Sequence, residues 1–222
     1  MSEQRTFASL AWQAKGKVTR RERFLAEMDA VIPWARLLAL IALHHPEAGN
    51  GRQALGLEKM LRIYFLQEWF NLSDPQAEDA IYDSASMRRF ARLELGDDLV
   101  PDESTILRFG LLPEQQRLTA EIFAAVRNLL EERRLLLRAG TIVDATIIAA
   151  PRATKNATAT RDPEMKQTRK GRTWHFGMKL HIGADQRGIV HTVLATAVRT
   201  ADISQRPALR HGQEREIFGD QA

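Results

Sequence analysis

Residues 140–151 read Gly140-Thr141-Ile142-Val143-Asp144-Ala145-Thr146-Ile147-Ile148-Ala149-Ala150-Pro151. From Thr141 to Ile148 the run is apolar and β-branched enough for a central strand, because branched side chains pack well on a pleated surface. Asp144 interrupts it. An aspartate flanked by Ile142, Val143, Ile147 and Ile148 costs several kcal/mol if buried as an unpaired charge. It therefore needs a partner, or strand alternation turns it to solvent.

A second carboxylate bears on that choice. Glu216-Ile217-Phe218-Gly219-Asp220 has the pattern of another strand. Asp220 stands at its end, where functional side chains clear the core of an α/β sheet. If the two strands are adjacent, the carboxylates converge. An oxygen-only pair suits Mg²⁺ or Mn²⁺, which take hard ligands and keep waters for a phosphate. Two such ions about 4 Å apart support in-line phosphoryl displacement, so the chemistry implied is cleavage and joining of nucleic acid.

Between these strands, Gly177 to Ile182 and Ile189 to Ala197 flank the turn-forming Asp185-Gln186-Arg187-Gly188 and predict a hairpin. Ser204 to His211 predicts a short helix containing Pro207. The order from Thr141 is strand, strand, strand, helix, strand. Arg152 to Thr173 lacks apolar periodicity and reads as a long loop, of a length that is usually functional. Its cations Lys166, Arg169, Lys170 and Arg172, with Lys179 beyond them, are candidates for holding DNA phosphates without reading bases. Trp174 reads as core. His181 and His191 face each other across the hairpin on this reading, as a polar sheet surface rather than a zinc site. Asp162 and Asp202 read as loop residues that order backbone.

Upstream the pattern is helical. Leu37, Leu38, Ile41 and Ala42 form one stripe, and Met60, Leu61, Tyr64, Phe65 and Trp69 another. Trp34, Tyr64, Phe65, Trp69, Phe70, Tyr82 and Phe90 read as core. Ser73-Asp74-Pro75-Gln76 fits a capping box, and Pro101 to Thr105 opens a short helix ending near Gly110. From Pro113 to Leu137 the spacing predicts one long helix, with Gly140 as its left-handed cap. Arg88, Arg89 and Arg92 near a helix end suit a major groove, but no recognition helix can be named. The expected domains are thus a helical one at 1–138, binding DNA, and an α/β one at 139–222.

Composition sets the outer bounds. With 222 residues, 44% hydrophobic and 27% charged, the chain is an ordinary globular one rather than disordered or fibrous. Net charge is +4 and the pI about 9.7, with basic stretches near the N-terminus and from Arg152 to Lys179. The absence of cysteine excludes disulfides and thiolate metal sites. Val31 to Leu43 is too short and too interrupted to span a bilayer, so we expect a cytoplasmic, nucleoid-associated protein with no membrane role.

Residues 140–151 resemble the first-aspartate strand of IS-five-type insertion-sequence transposases. Further blocks agree in order: Arg161 to Met165, Lys170-Gly171, Trp174 to Lys179 with His181-Ile182-Gly183, and His211-Gly212-Gln213-Glu214 before Phe218-Gly219-Asp220. Val100 to Thr105 is similar to the end of the family's helical domain, although Gly110 stands where another basic residue is expected. The resemblance implies an RNase H-like catalytic domain in an α+β chain. It implies that Asp144 and Asp220 are the first two members of an Asp-Asp-Glu triad binding Mg²⁺ or Mn²⁺. The implied partners are double-stranded DNA, as terminal inverted repeats and target, and further copies of the chain in the active complex. The family's glutamate lies well beyond the second aspartate, whereas only Gln221 and Ala222 follow Asp220, so the catalytic domain is expected to be incomplete and the chain inefficient alone. Two other readings stand beside transposition: a non-cutting DNA-binding regulator, and an RNase H-like metal nuclease without strand transfer.

Overall fold

The computed structural model describes residues 16–45, 55–96, 98–150 and 164–219. The chain divides into two compact units, Met1–Val126 and Arg127–Ala222. No helix among the described residues is long and apolar enough to cross a membrane.

The first unit is helical: α1 (Arg20–Val31), α2 (Trp34–Ala42), α3 (Leu57–Phe70), α4 (Asp74–Asp83), α5 (Ala85–Phe90) and α6 (Glu103–Gln115), with the start of α7 (Thr119–Glu132). Pro33 separates α1 from α2, as its missing N–H requires. Caps fix several starts. Thr19 and Glu22 close a capping box on α1, Ser73 and Gln76 close the expected one on α4, and Asp102 accepts from the Thr105 amide at 2.7 Å. Two clusters form the core, one around Leu25, Ile63, Leu66, Ile81, Phe90 and Ile106, the other around Leu37, Ile41, Met60, Leu61 and Phe109. α3 contributes to both. The aromatic residues expected in this core pack there, except Tyr82, which is exposed.

Arg62 is the unusual core member. Fully buried, it pairs with Asp29 at 2.7 Å and Glu58 at 3.0 Å and donates to the Phe90 carbonyl at 3.0 Å. Its guanidinium lies 4.0 Å from the Trp34 ring centroid. Arg88 donates to the Ile81 and Tyr82 carbonyls, and Arg92 pairs with Glu58 at 2.8 Å. Those two members of the suggested basic cluster are therefore engaged within the fold.

The second unit is a mixed sheet. Its strands are β1 (Gly140–Ala149), β2 (Lys166–Lys170), β3 (Thr173–Ala184), β4 (Val190–Ala197) and β5 (Glu216–Gly219). β3 pairs antiparallel with β1, β2 and β4, while β5 lies parallel to β1. Between β4 and β5 run a short helix, α8 (Asp202–Gln205), and a 3-10 turn, Arg206–Leu209. That turn packs on the sheet closely enough that a Cβ at Gly183 would sit 2.5 Å from the Leu209 carbonyl oxygen. The chain is α+β with a mixed sheet, as expected.

Alternation gives the sheet two unlike faces. Val143, Ala145 and Ile147 share a face with their partners Gly183, His181 and Lys179, and this is the face that Leu209 covers. Ile142, Asp144 and Ile148 lie on the other face with Phe218, and all four are exposed.

Four expectations are corrected here. The span from Arg152 to Thr173 is not all loop: β2 forms within it, because an edge strand needs only a backbone ladder and tolerates charged side chains. The rest of that span, 152–163, lies outside the described residues. The long helix from Pro113 is two: Pro113 sits inside α6, Arg117 turns at φ 57°, and α7 ends before Leu137. Buried Leu118 donates its amide to the Pro113 carbonyl and keeps the apolar spacing continuous across the break. The left-handed residue after α7 is Arg134, at φ 55°, and Gly140 belongs to β1. The Ser204–His211 helix begins earlier and passes into the 3-10 turn at Arg206, one residue before Pro207.

Replacing Arg62 with Ala should lower stability by roughly 3–5 kcal/mol, the cost of opening a buried ion pair, with the lower end favoured because Asp29 and Glu58 keep some solvent. A urea midpoint followed by helical circular dichroism and unchanged in Arg62→Ala would contradict this.

Candidate active site

The site is built on β1 and the strand beside it. Ile142 pairs with Phe218 and Val143 with Gly219, in parallel register. Asp144 follows one partner and Asp220 the other; Asp220 lies outside the described residues. Asp144 is exposed, and its Oδ1 accepts from the Ala145 amide at 2.7 Å. Alternation has thus turned it to solvent, and burial is not what demands a partner for it.

β5 is held by a polar cluster that composition and spacing did not single out. The Glu214 side chain is fully buried and accepts from the His211 amide and, at 2.8 Å, from the Gly212 amide. Thr141 on β1 donates its hydroxyl to the same carboxylate at 3.2 Å. The Thr141 oxygen lies 3.3 Å from His191 Nε2, and His191 Nδ1 lies 2.9 Å from the Thr192 hydroxyl. With the Thr141 proton committed to Glu214, His191 Nε2 donates to the Thr141 oxygen, and the neutral imidazole then accepts from Thr192 at Nδ1. Burial, and next the neighbouring His211, hold His191 below the ordinary imidazole range. Burial raises the Glu214 carboxyl, but the backbone amides at its oxygens outweigh that and leave it below the usual carboxylate range.

His181 does not face His191; its ladder partner is Leu194. Buried, it meets the Thr196 hydroxyl at 2.8 Å and stands 3.6 Å from Asp202, and burial lowers its pKa also. Asp202 does more than order a loop, since it takes the Lys179 ammonium at 2.9 Å, and Lys179 also donates to the Thr200 carbonyl. Of the other basic candidates, Lys166, Arg169 and Arg172 are exposed, with Arg169 Nε on the Gly171 carbonyl at 3.0 Å, and Lys170 pairs its backbone with Thr173. Trp174, expected in the core, is 61% exposed, because β3 begins beside β2 at the edge of the sheet.

Asp185, in the hairpin turn, is buried and accepts from the Leu137, Arg187 and Ile189 amides, each at 2.9 Å. It orders backbone and is spent on that task. Among the described residues no group of three or more His, Asp or Glu is arranged to hold a metal ion.

Comparison with known families finds a match in each unit. Residues 13–110 match the family described as a transposase domain (DUF772), and residues 136–222 match the transposase DDE domain. The chain belongs to the insertion-sequence DDE transposases. No solved structure matches it. The second match implies an RNase H-like fold for the transposase's sheet.

The histidine environments predict an acid-labile sheet. For a histidine held neutral by burial, the unfolded chain binds the extra proton first. Stability is then complete above about pH 6.5, the unfolded imidazole value, and declines as pH falls toward the lower folded value. Glu214 shares this sign, but its contribution is lost only below the carboxylate range. The urea midpoint should fall between neutrality and about pH 5, and His181→Gln with His191→Gln should flatten that fall. A midpoint that falls equally in the double variant would assign the acid lability elsewhere.

Proposed function

We propose that this transposase binds the terminal inverted repeats of its element and cuts and joins DNA by metal-dependent phosphoryl transfer, with Asp144 and Asp220 holding Mg²⁺ or Mn²⁺. The observation that carries this reading is the parallel register of β1 and β5, which pairs Val143 with Gly219 immediately before the two aspartates. The donor chemistry fits. Asp144 offers carboxylate oxygen to solvent, its Oδ1 accepts from the adjacent backbone amide, and hard divalent ions take oxygen ligands of this kind. Bound there, the ion would activate the attacking oxygen and neutralise charge on the phosphoryl group.

The protein's own contribution is to position DNA. Lys166, Arg169, Lys170 and Arg172 supply backbone phosphate contacts, with Lys179 set deeper beside Asp202. The helical part, to about Arg138, contributes DNA binding, and the active complex contains more than one copy, working at the nucleoid.

Asp144→Asn should weaken Mn²⁺ binding, read by electron paramagnetic resonance, by at least the roughly 10–100-fold that loss of a mere outer-shell partner costs. Cleavage of DNA carrying the element's ends should disappear with it, in this chain or in one extended through a glutamate-bearing helix. Unchanged Mn²⁺ affinity in both Asp144→Asn and Asp220→Asn would sink the assignment.

A further inference from the structure

A cavity of about 890 Å³ in the sheet unit reaches from β2 to Asp144 and Gly219, walled by the segment between β4 and α8. Four cations line it: Arg169, Lys179, Arg199 and Arg206. Lys179 and Asp202 neutralise one another at 2.9 Å. The three arginines have no carboxylate partner among the described residues. Among the described residues two of them are anchored through one nitrogen, Arg199 Nε on the Gln167 carbonyl at 2.9 Å and Arg169 Nε on the Gly171 carbonyl at 3.0 Å, which leaves their terminal nitrogens for a ligand.

Arg206 is placed most tellingly. Its guanidinium lies against the backbone of Gly219, so that a Cβ there would come within 3.3 Å of Nη2. This is the residue that pairs with Val143 and immediately precedes Asp220. A half-buried guanidinium without an ion partner among the described residues, in a cavity that touches Asp144, is suited to meeting an anion. Planar guanidinium forks match phosphate oxygens in pairs.

From this the geometry points to a phosphate-binding groove in which Arg206, with Arg199 and Arg169, holds successive backbone phosphates of one DNA strand and delivers that strand to Asp144. Neither Arg199 nor Arg206 stood out in the sequence, since both lie more than fifty residues from Asp144 and only the turn between β4 and β5 brings them to it. The inference rests on the transposase reading and extends it by naming residues that grip substrate. Arg206 is a binding residue here; the groove transfers no proton and breaks no bond.

The test is the salt dependence of binding to a fluorescein-labelled DNA duplex, measured by anisotropy with the whole chain. Each lost phosphate contact lowers the slope of log K against log salt by about 0.9. Arg206→Gln and Arg199→Gln should each lower it by about that amount, whereas Arg187→Gln, on the exposed hairpin turn, should leave it unchanged although it removes the same charge. Arg206→Lys, which keeps the charge and loses the fork, should retain the slope and lose affinity, which separates phosphate contact from a folding defect. An unchanged slope in Arg206→Gln overturns the groove, and does so even where Asp144→Asn abolishes Mn²⁺ binding and the transposase reading stands. A lowered slope in Arg206→Gln supports the groove even where Asp144 proves not to bind metal. If inorganic phosphate competes at millimolar concentration and its binding alone is lost in Arg206→Gln, the cavity is an isolated anion site and the strand assignment falls.

Discussion

Glu214 holds the arrangement of the sheet together. β5 is only four residues long, and Glu216, Ile217, Phe218 and Gly219 are all exposed, so hydrophobic burial does little to keep it in place. Parallel pairing adds less per residue than antiparallel pairing does. The loop before the strand compensates. A fully buried carboxylate takes two amides of that loop and a hydroxyl of β1, while the Arg215 amide reaches the Ala139 carbonyl at 3.0 Å. Charged acceptors give the stronger hydrogen bonds, and here they outweigh the desolvation of the carboxylate. The register of Val143 with Gly219 follows from that clamp.

The strand through Asp144 was legible because its side chains carry the information: branched apolar residues in a run, and one acid that does not belong to a core. The same holds for the Asp185 to Gly188 turn and the Ser73 capping box. β2 was not legible. Its residues alternate no hydrophobicity, and a backbone ladder to Thr173–Gly177 makes it a strand regardless of side chain. Pro113 misled for a related reason. Leu118 and Ile122 keep helical spacing across a break that one positive φ at Arg117 creates, and spacing does not register a single dihedral.

The site divides in the same way. Asp144 declared itself by chemical incongruity, and of its two readings alternation selects the solvent-facing one. Glu214 carries little signal of its own in the sequence. Its function is to accept from backbone, and the faint signal for that is an acid two residues after Gly212 in a short loop. Lys179 was legible as a cation but not as one already balanced, because Asp202 reaches it only through the fold of the β4–α8 segment.

On the proposed function, the unlike faces of the sheet couple substrate to metal. Asp144 stands exposed beside Ile142, Ile148 and Phe218, a patch apolar enough to favour being covered. Covering it withdraws water from the carboxylate and makes its charge costly. A divalent cation removes that cost, and it gains strength itself as the surrounding water leaves. Each event therefore favours the other by the same free energy, as linkage requires of two ligands bound at one protein. An uncovered Asp144 would hold its ion weakly, which restrains phosphoryl transfer until DNA has closed over it. The exposed aspartate in an apolar strand then has a physical reason: the carboxylate is left in water until the partners that must neutralise it arrive together.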